Sequence, residues 1–324
     1  MSQLSIPESR IEYLRQRRMQ RIEQLKEEAK KLELKPLPKG QSYKAIAISV
    51  DAGEVPIETD VFEGIILRCA DSDGKTHFHD TVLTDADVSD ISALLDELFK
   101  AVPVLQKLLE VAEASSWTDL APGFVQFDPS DFIREMLEWG TIISLAEEAY
   151  KTIFLKDGLL RSKLIKPQYG YLDNIKSFFE ANCIEHENFL VGVAKDSAPL
   201  RVAYRRLELK PEFRTMRTFY TLVSNDLLEL SWKWKRFREG DIPWGNIYLA
   251  RLFPHHHAKI LTLEVPSFLE EGLDEVLRVL AALPLRQIPD RFFGFPDPLA
   301  RAHEFATLRL NVGKAIAREV MQDV

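Results

Sequence analysis

Two aspartates stand out by what surrounds them. Asp51 follows the apolar run Lys44–Val50 (KAIAISV) in Val50-Asp51-Ala52-Gly53, and Asp157 follows Thr152–Leu155 (TIFL) in Asp157-Gly158-Leu159-Leu160. Each reads as an acid at the end of a buried strand, followed by small residues that let a ligand approach the backbone. If the two strands are parallel neighbours, the carboxylates lie side by side. Two close carboxylates repel, and a divalent cation relieves that repulsion. Between them, Glu135 and Glu138 sit three apart on an expected helix and face one way, so either can complete a three-carboxylate site. Such a set can hold one or two Mg²⁺ or Mn²⁺ ions. Two ions can activate a water, align an in-line attack on a phosphodiester and stabilise the leaving oxygen. The alternative is that both aspartates are turn residues, since Asp-Gly is a common turn pair.

Other side chains join the candidate list. His303 falls in an expected C-terminal helix, where it either packs or contacts phosphate, metal or an attacking water. Lys195 ends the apolar run Phe189–Ala194 and places a cation near the carboxylates, within reach of a scissile phosphate. His255, His256 and His257 are consecutive, so their side chains diverge; they read as an exposed turn rather than a shared ligand set. Trp232, Lys233, Trp234, Lys235, Arg236 and Arg238 mix aromatic and basic character, suited to stacking on bases with phosphate contacts or to a helix with core tryptophans. Cys69 and Cys183 are the only cysteines and read as buried and inert.

The elements that must position these groups follow from periodicity. A long helix is expected over residues 8–33, broken by Lys35-Pro36-Leu37-Pro38-Lys39-Gly40. Strands are expected at 44–50, 61–70 and 77–83, with the hairpin turn Asp71-Ser72-Asp73-Gly74 between the last two. Helical patterns cover 86–114 and 129–150. After the strand at 152–155 come a helix at 172–182, a strand at 189–194 and a helix at 219–238. A strand pair at 247–252 and 259–265 precedes helices at 268–283 and 298–323. A three-strand meander followed by strands alternating with helices is the order β-β-β-α-β-α-β of a ribonuclease H-like α/β core with a mixed sheet and added terminal helices. We expect an N-terminal helical arm over 1–40 and one nuclease-type domain over 41–324, with a helical insertion at about 210–240.

The chain has 324 residues and a net charge of −8. Taken alone, an acidic total argues against a nucleic-acid partner. The distribution reverses that inference. Residues 51–150 carry a net −17, whereas 1–44 and 201–240 each carry +5. Carboxylates converging on divalent ions account for part of the acid, and the basic segments suit a polyanion. Two cysteines fit a reducing, cytoplasmic setting, the N-terminus lacks the apolar core of a secretory signal, and no apolar run reaches the ~18 residues of a membrane span. The pattern Gly-x-x-x-x-Gly-Lys-Ser/Thr does not occur, so any ATP-driven motor must be another chain.

Four motifs in order resemble the NurA nuclease family: Ala47–Gly53 (AISVDAG), Ile153–Leu160 (IFLKDGLL), Leu190–Ser197 (LVGVAKDS), and Gly294–Leu299 (GFPDPL) with Ala302-His303. The resemblance implies a ribonuclease H-like fold, a symmetric homodimer and Mn²⁺-dependent cleavage of DNA. It also implies single-strand endonuclease and 5′-to-3′ exonuclease activity in DNA end resection and repair, beside a hexameric HerA-type ATPase. By motif, Asp51, Glu138 and Asp157 match the metal-binding acids, with Glu135 the alternative to Glu138. His303 matches the C-terminal histidine. Phe295 stands at a DNA-binding position where the family often has tyrosine, and Ala52 where glycine is common. These departures leave open a non-catalytic DNA- or ATPase-binding subunit, and the fold class leaves open an enzyme cutting RNA–DNA hybrids.

Overall fold

The computed structural model describes residues 8–40, 46–59, 63–83, 88–121, 129–160, 170–230, 244–308 and 310–322. In chain order the elements are α1 (Glu8–Lys30), β1 (Ile46–Glu58), β2 (Glu63–Asp71), β3 (Thr76–Leu83), α2 (Val88–Ala101), α3 (Pro103–Ala112), α4 (Trp117–Leu120) and α5 (Pro129–Glu148). There follow β4 (Thr152–Asp157), α6 (Tyr171–His186), β5 (Phe189–Ala194), α7 (Ala198–Leu207), α8 (Pro211–Thr215), β6 (Phe219–Leu222), α9 (Asn225–Leu228), β7 (Gly245–Arg251) and β8 (Leu261–Pro266). Helices α10 (Leu273–Ala282), α11 (Asp297–Ala306) and α12 (Leu310–Gln322) complete the chain.

All eight strands form one mixed sheet in the order β3-β2-β1-β4-β5-β8-β7-β6. Strands β1, β2 and β3 are an antiparallel meander, and β4 and β5 run parallel to β1. That is the ribonuclease H-like order expected from the sequence. Strands β8, β7 and β6 then extend the sheet antiparallel beyond β5.

Strand alternation sorts the side chains into two cores. Val50, Ala52, Phe154 and Leu190 face α2, α3, α5 and α6. Ile153, Leu155, Val191 and Val193 face the opposite way, toward α10 and α11. A third cluster gathers Leu32, Leu207, Phe219 and Leu249 where the end of α1 meets α7 and β6. There Glu28 forms a buried ion pair with Arg206, which fixes the C-terminal end of α1, while residues 8–20 of that helix are exposed.

Several boundaries differ from the expectation, each for a local reason. β1 does not stop at Val50: it runs on to Glu58 because β2 continues to pair with it, Ala52 opposite Cys69 and Glu58 opposite Glu63. The expected helix 86–114 is two helices, since Pro103 cannot continue α2 and instead starts α3. Residues 219–222 of the expected helix 219–238 form strand β6, paired to β7, and α9 is only Asn225–Leu228. The last helix is divided between α11 and α12. Among the described residues, no helix is long and apolar enough to cross a membrane.

Candidate metal centre

The site lies where β4 ends and β1 continues. Parallel pairing of these strands runs from Ile46–Thr152 to Val50–Lys156 and stops there. Asp51 therefore sits mid-strand, beside the last residue of β4, Asp157. Asp51 alternates with Val50 and Ala52, and Asp157 follows the alternation of Ile153 and Leu155. Both carboxylates accordingly point to the face covered by α11. Gly158 takes φ +96°, a conformation that turns the chain away directly after Asp157.

Helix α11 brings the third group. His303 Nδ1 lies 2.6 Å from Asp51 Oδ2. The two atoms share a proton in this contact, and a bound divalent ion would take that proton's place. Gly53 is what admits the helix: a Cβ there would stand 2.4 Å from the Ala306 carbonyl oxygen. Gly53, one of the small residues after Asp51 read from the sequence as room for a ligand, is thus room for the helix that carries His303. Asp51, Asp157 and His303 each offer a ligand atom, and these atoms all lie within 4.8 Å of one another. Lys195 Nζ bonds to Asp157 Oδ2 at 2.9 Å from a partly exposed position. Phe292 backs the cluster, with its ring 5.1 Å from Lys195 Nζ and 5.2 Å from the His303 ring.

Glu138 reaches the centre from the other face of the sheet. Beyond Val50 the backbone groups of β1 that would have bonded β4 are open, and α5 supplies their partners. Ala52 N–H donates to Glu138 Oε1 at 3.3 Å, and Arg134 Nε donates to the Ala52 carbonyl at 2.8 Å. These two side chains stand one helical turn apart and act as a substitute strand for a single residue. The second oxygen of Glu138 accepts from Lys156 Nζ at 3.2 Å, a pair buried on both sides. Burial pushes Glu138 above the usual carboxylate range; the Lys156 charge opposes this, and Asp51 and Asp157 add to it. Burial works against the Lys156 charge, but Glu138, Glu135 and Asp157 outweigh it, so its ammonium is retained.

Of the residues singled out in the sequence, the structure brings together Asp51, Asp157, His303 and Lys195, with Glu138 behind them. The group of three that could hold an ion includes His303, and Glu138 stands on the other side of the sheet. Glu135, the alternative ligand, lies near enough to Lys156 to act on its charge. Phe295, expected at a DNA-binding position, is 1% exposed and packs edge-on against Phe292 in the α10–α11 core, so its ring is not at the surface. Trp234, Lys235 and Arg236 lie outside the described residues. His255, His256 and His257 are exposed, as expected of a turn. Cys69 is buried, but Cys183 is only partly so.

Lys156, Arg134 and Phe292 were not singled out. Lys156 carried a signal, a lone cation inside the otherwise apolar strand Thr152–Leu155 and its aspartate; Arg134 and Phe292 carried none.

The donor set of two carboxylates and one imidazole suits a hard or borderline divalent ion, of which Mn²⁺ accepts both kinds of ligand. A family model described as the NurA domain matches residues 125–308, a span that holds Glu138, Asp157, Lys195 and His303 but not Asp51. No curated protein matches the chain. Among solved structures, the NurA nuclease from Sulfolobus solfataricus is 11% identical, covering 98% of this chain and 99% of that one, with a TM-score of 0.47. A NurA bound to dAMP and manganese is 10% identical over 92% of this chain and 93% of that one, with a TM-score of 0.36. Endonuclease V from Bacillus subtilis is 13% identical over 91% and 89%, with a TM-score of 0.28.

Proposed function

This chain belongs to the NurA family, and from that premise we propose that it is a divalent-metal-dependent DNA nuclease. The observation that carries the proposal is the convergence of Asp51, Asp157 and His303 within 4.8 Å at the open end of a ribonuclease H-like sheet. A divalent ion held by these residues supplies Lewis-acid activation of water and neutralises charge on the phosphodiester.

The chain's own groups do the rest. Asp51 Oδ2 and His303 Nδ1 face each other at 2.6 Å, so that the two would hold an ion together in place of the proton they share in this contact. Lys195, tethered to Asp157 and open to solvent on one side, offers its ammonium to the non-bridging phosphate oxygens. Glu138 and Arg134 hold β1 where β4 no longer does, which fixes Asp51.

The finer reading follows the family resemblance: single-strand endonuclease and 5′-to-3′ exonuclease cleavage with Mn²⁺, by a homodimer acting with a HerA-type hexameric ATPase in DNA end resection. The test is cleavage of end-labelled single-stranded and duplex DNA with Mn²⁺ or with EDTA. We expect cleavage with Mn²⁺ only, and its loss in Asp51→Ala and Asp157→Ala. Equal activity in all three proteins overturns the assignment. DNA binding without cleavage points to the regulatory-subunit reading, and preference for RNA–DNA hybrids to a different ribonuclease H-like enzyme.

A further inference from the structure

The number of ions this centre takes is written in Lys156. Its side chain enters the sheet face opposite Asp157 and is almost wholly buried, with Nζ 3.2 Å from Glu138 Oε2 and 3.4 Å from the Asp157 carbonyl oxygen. The ammonium also lies 5.4 Å from the Trp139 ring centroid. The other Glu138 oxygen is taken by the Ala52 N–H. Both oxygens of the third carboxylate therefore already have donors within the protein.

The charge balance points the same way. Asp51, Asp157, Glu138 and Glu135 bring four negative charges to one small volume. Lys156, without solvent to screen it, and Lys195 offset two of them, and one divalent ion would offset the other two. A second divalent ion would leave two positive charges unbalanced beside the buried Lys156 ammonium. It would also have to displace the Lys156 ammonium from Glu138.

We propose that Lys156 is a built-in cation standing in for a second metal ion, so that the centre takes one divalent ion, on Asp51, Asp157 and His303, while Glu138 stays bound to Lys156. The inference rests on reading this cluster as a metal centre. A lysine here supplies fixed positive charge beside the reacting groups without depending on ion concentration.

The test counts ions directly, on the full chain, by Mn²⁺ titration with calorimetry and with the electron paramagnetic resonance signal of free Mn²⁺. The wild type is expected to bind one Mn²⁺ per chain. Glu138→Gln is expected to bind one as well, because Glu138 is not a ligand; this variant keeps shape and volume and so carries the test if Lys156→Met fails to fold. A folded Lys156→Met is expected to bind two, with Glu138 released. Two ions on the wild type, loss of an ion in Glu138→Gln, or a single ion on folded Lys156→Met would overturn the proposal. A wild type that binds no Mn²⁺ overturns the metal-centre reading itself, a result distinct from the other three.

Discussion

His303 Nδ1 stands 2.6 Å from Asp51 Oδ2, on the sheet face to which Asp157 also points. The contact joins the last helix of the core to its central strand, so the groups proposed to hold metal also close the fold. Metal binding and stability are therefore coupled.

Saturating Mn²⁺ is expected to raise the melting temperature of the wild type. Ligand at a hundred times its dissociation constant adds about 2.7 kcal/mol to a folded state that alone binds it. Asp51→Ala and Asp157→Ala are expected to lose the shift along with cleavage. Differential scanning fluorimetry with and without MnCl₂ reads it, and an undiminished shift in both variants would rule out these ligands.

Gly53→Ala should damage the site without touching a charged group. The new Cβ would meet the Ala306 carbonyl oxygen at 2.4 Å, and neither the strand nor the helix end can yield cheaply. Overpacking of this kind costs about 1–3 kcal/mol. Moving α11 also draws His303 from Asp51, so Mn²⁺ affinity should fall together with stability. Wild-type Mn²⁺ affinity in a folded Gly53→Ala would show that α11 does not position the histidine.

Asn188 ties three elements together at the start of β4. Its Oδ1 accepts from Thr152 N–H at 2.9 Å, and its amide donates to the carbonyls of Ala146 and Ala149 and to Asn182 Oδ1. Asn188→Ala leaves buried polar groups without partners, each costing about 1–3 kcal/mol. A urea denaturation midpoint lowered at unchanged slope is the expected result. A midpoint equal to that of the wild type would contradict it.

Cys69 is fully buried, and burial pushes its thiol up to about 12, with the hydrogen bond to Thr141 opposing and nearby carboxylates adding. The folded-state value lies above the unfolded one, so the neutral thiol's contribution is complete below pH 9 and is lost as pH rises toward 12. Over that window stability should fall by up to about 1.4 kcal/mol per pH unit from this group. Cys69→Ala should flatten that part of the curve. A thiol reagent at pH 8 should modify Cys183 first and Cys69 only on unfolding; rapid modification of both would refute its burial.

How much of this is legible in the sequence depends on the range of the interaction that decides it. The meander, the two later parallel strands and the aspartates after Val50 and Lys156 follow from local apolar runs and the Asp71–Gly74 turn, because alternation and turn chemistry act over a few residues. The four ordered motifs pointed to the NurA family for the same reason, each being a short stretch of chain. The tertiary structure decided where β1 ends, since strand pairing with β2 carries it past Asp51 to Glu58. It also decided that Phe295 is core and that His303 stands beside Asp51 and Asp157. The partner of Glu138 was settled the same way. A carboxylate's partner is whichever cation or N–H stands within about 3 Å of it. For Glu138 these are Lys156 and Ala52, set there by the packing of α5 across the point where β4 stops.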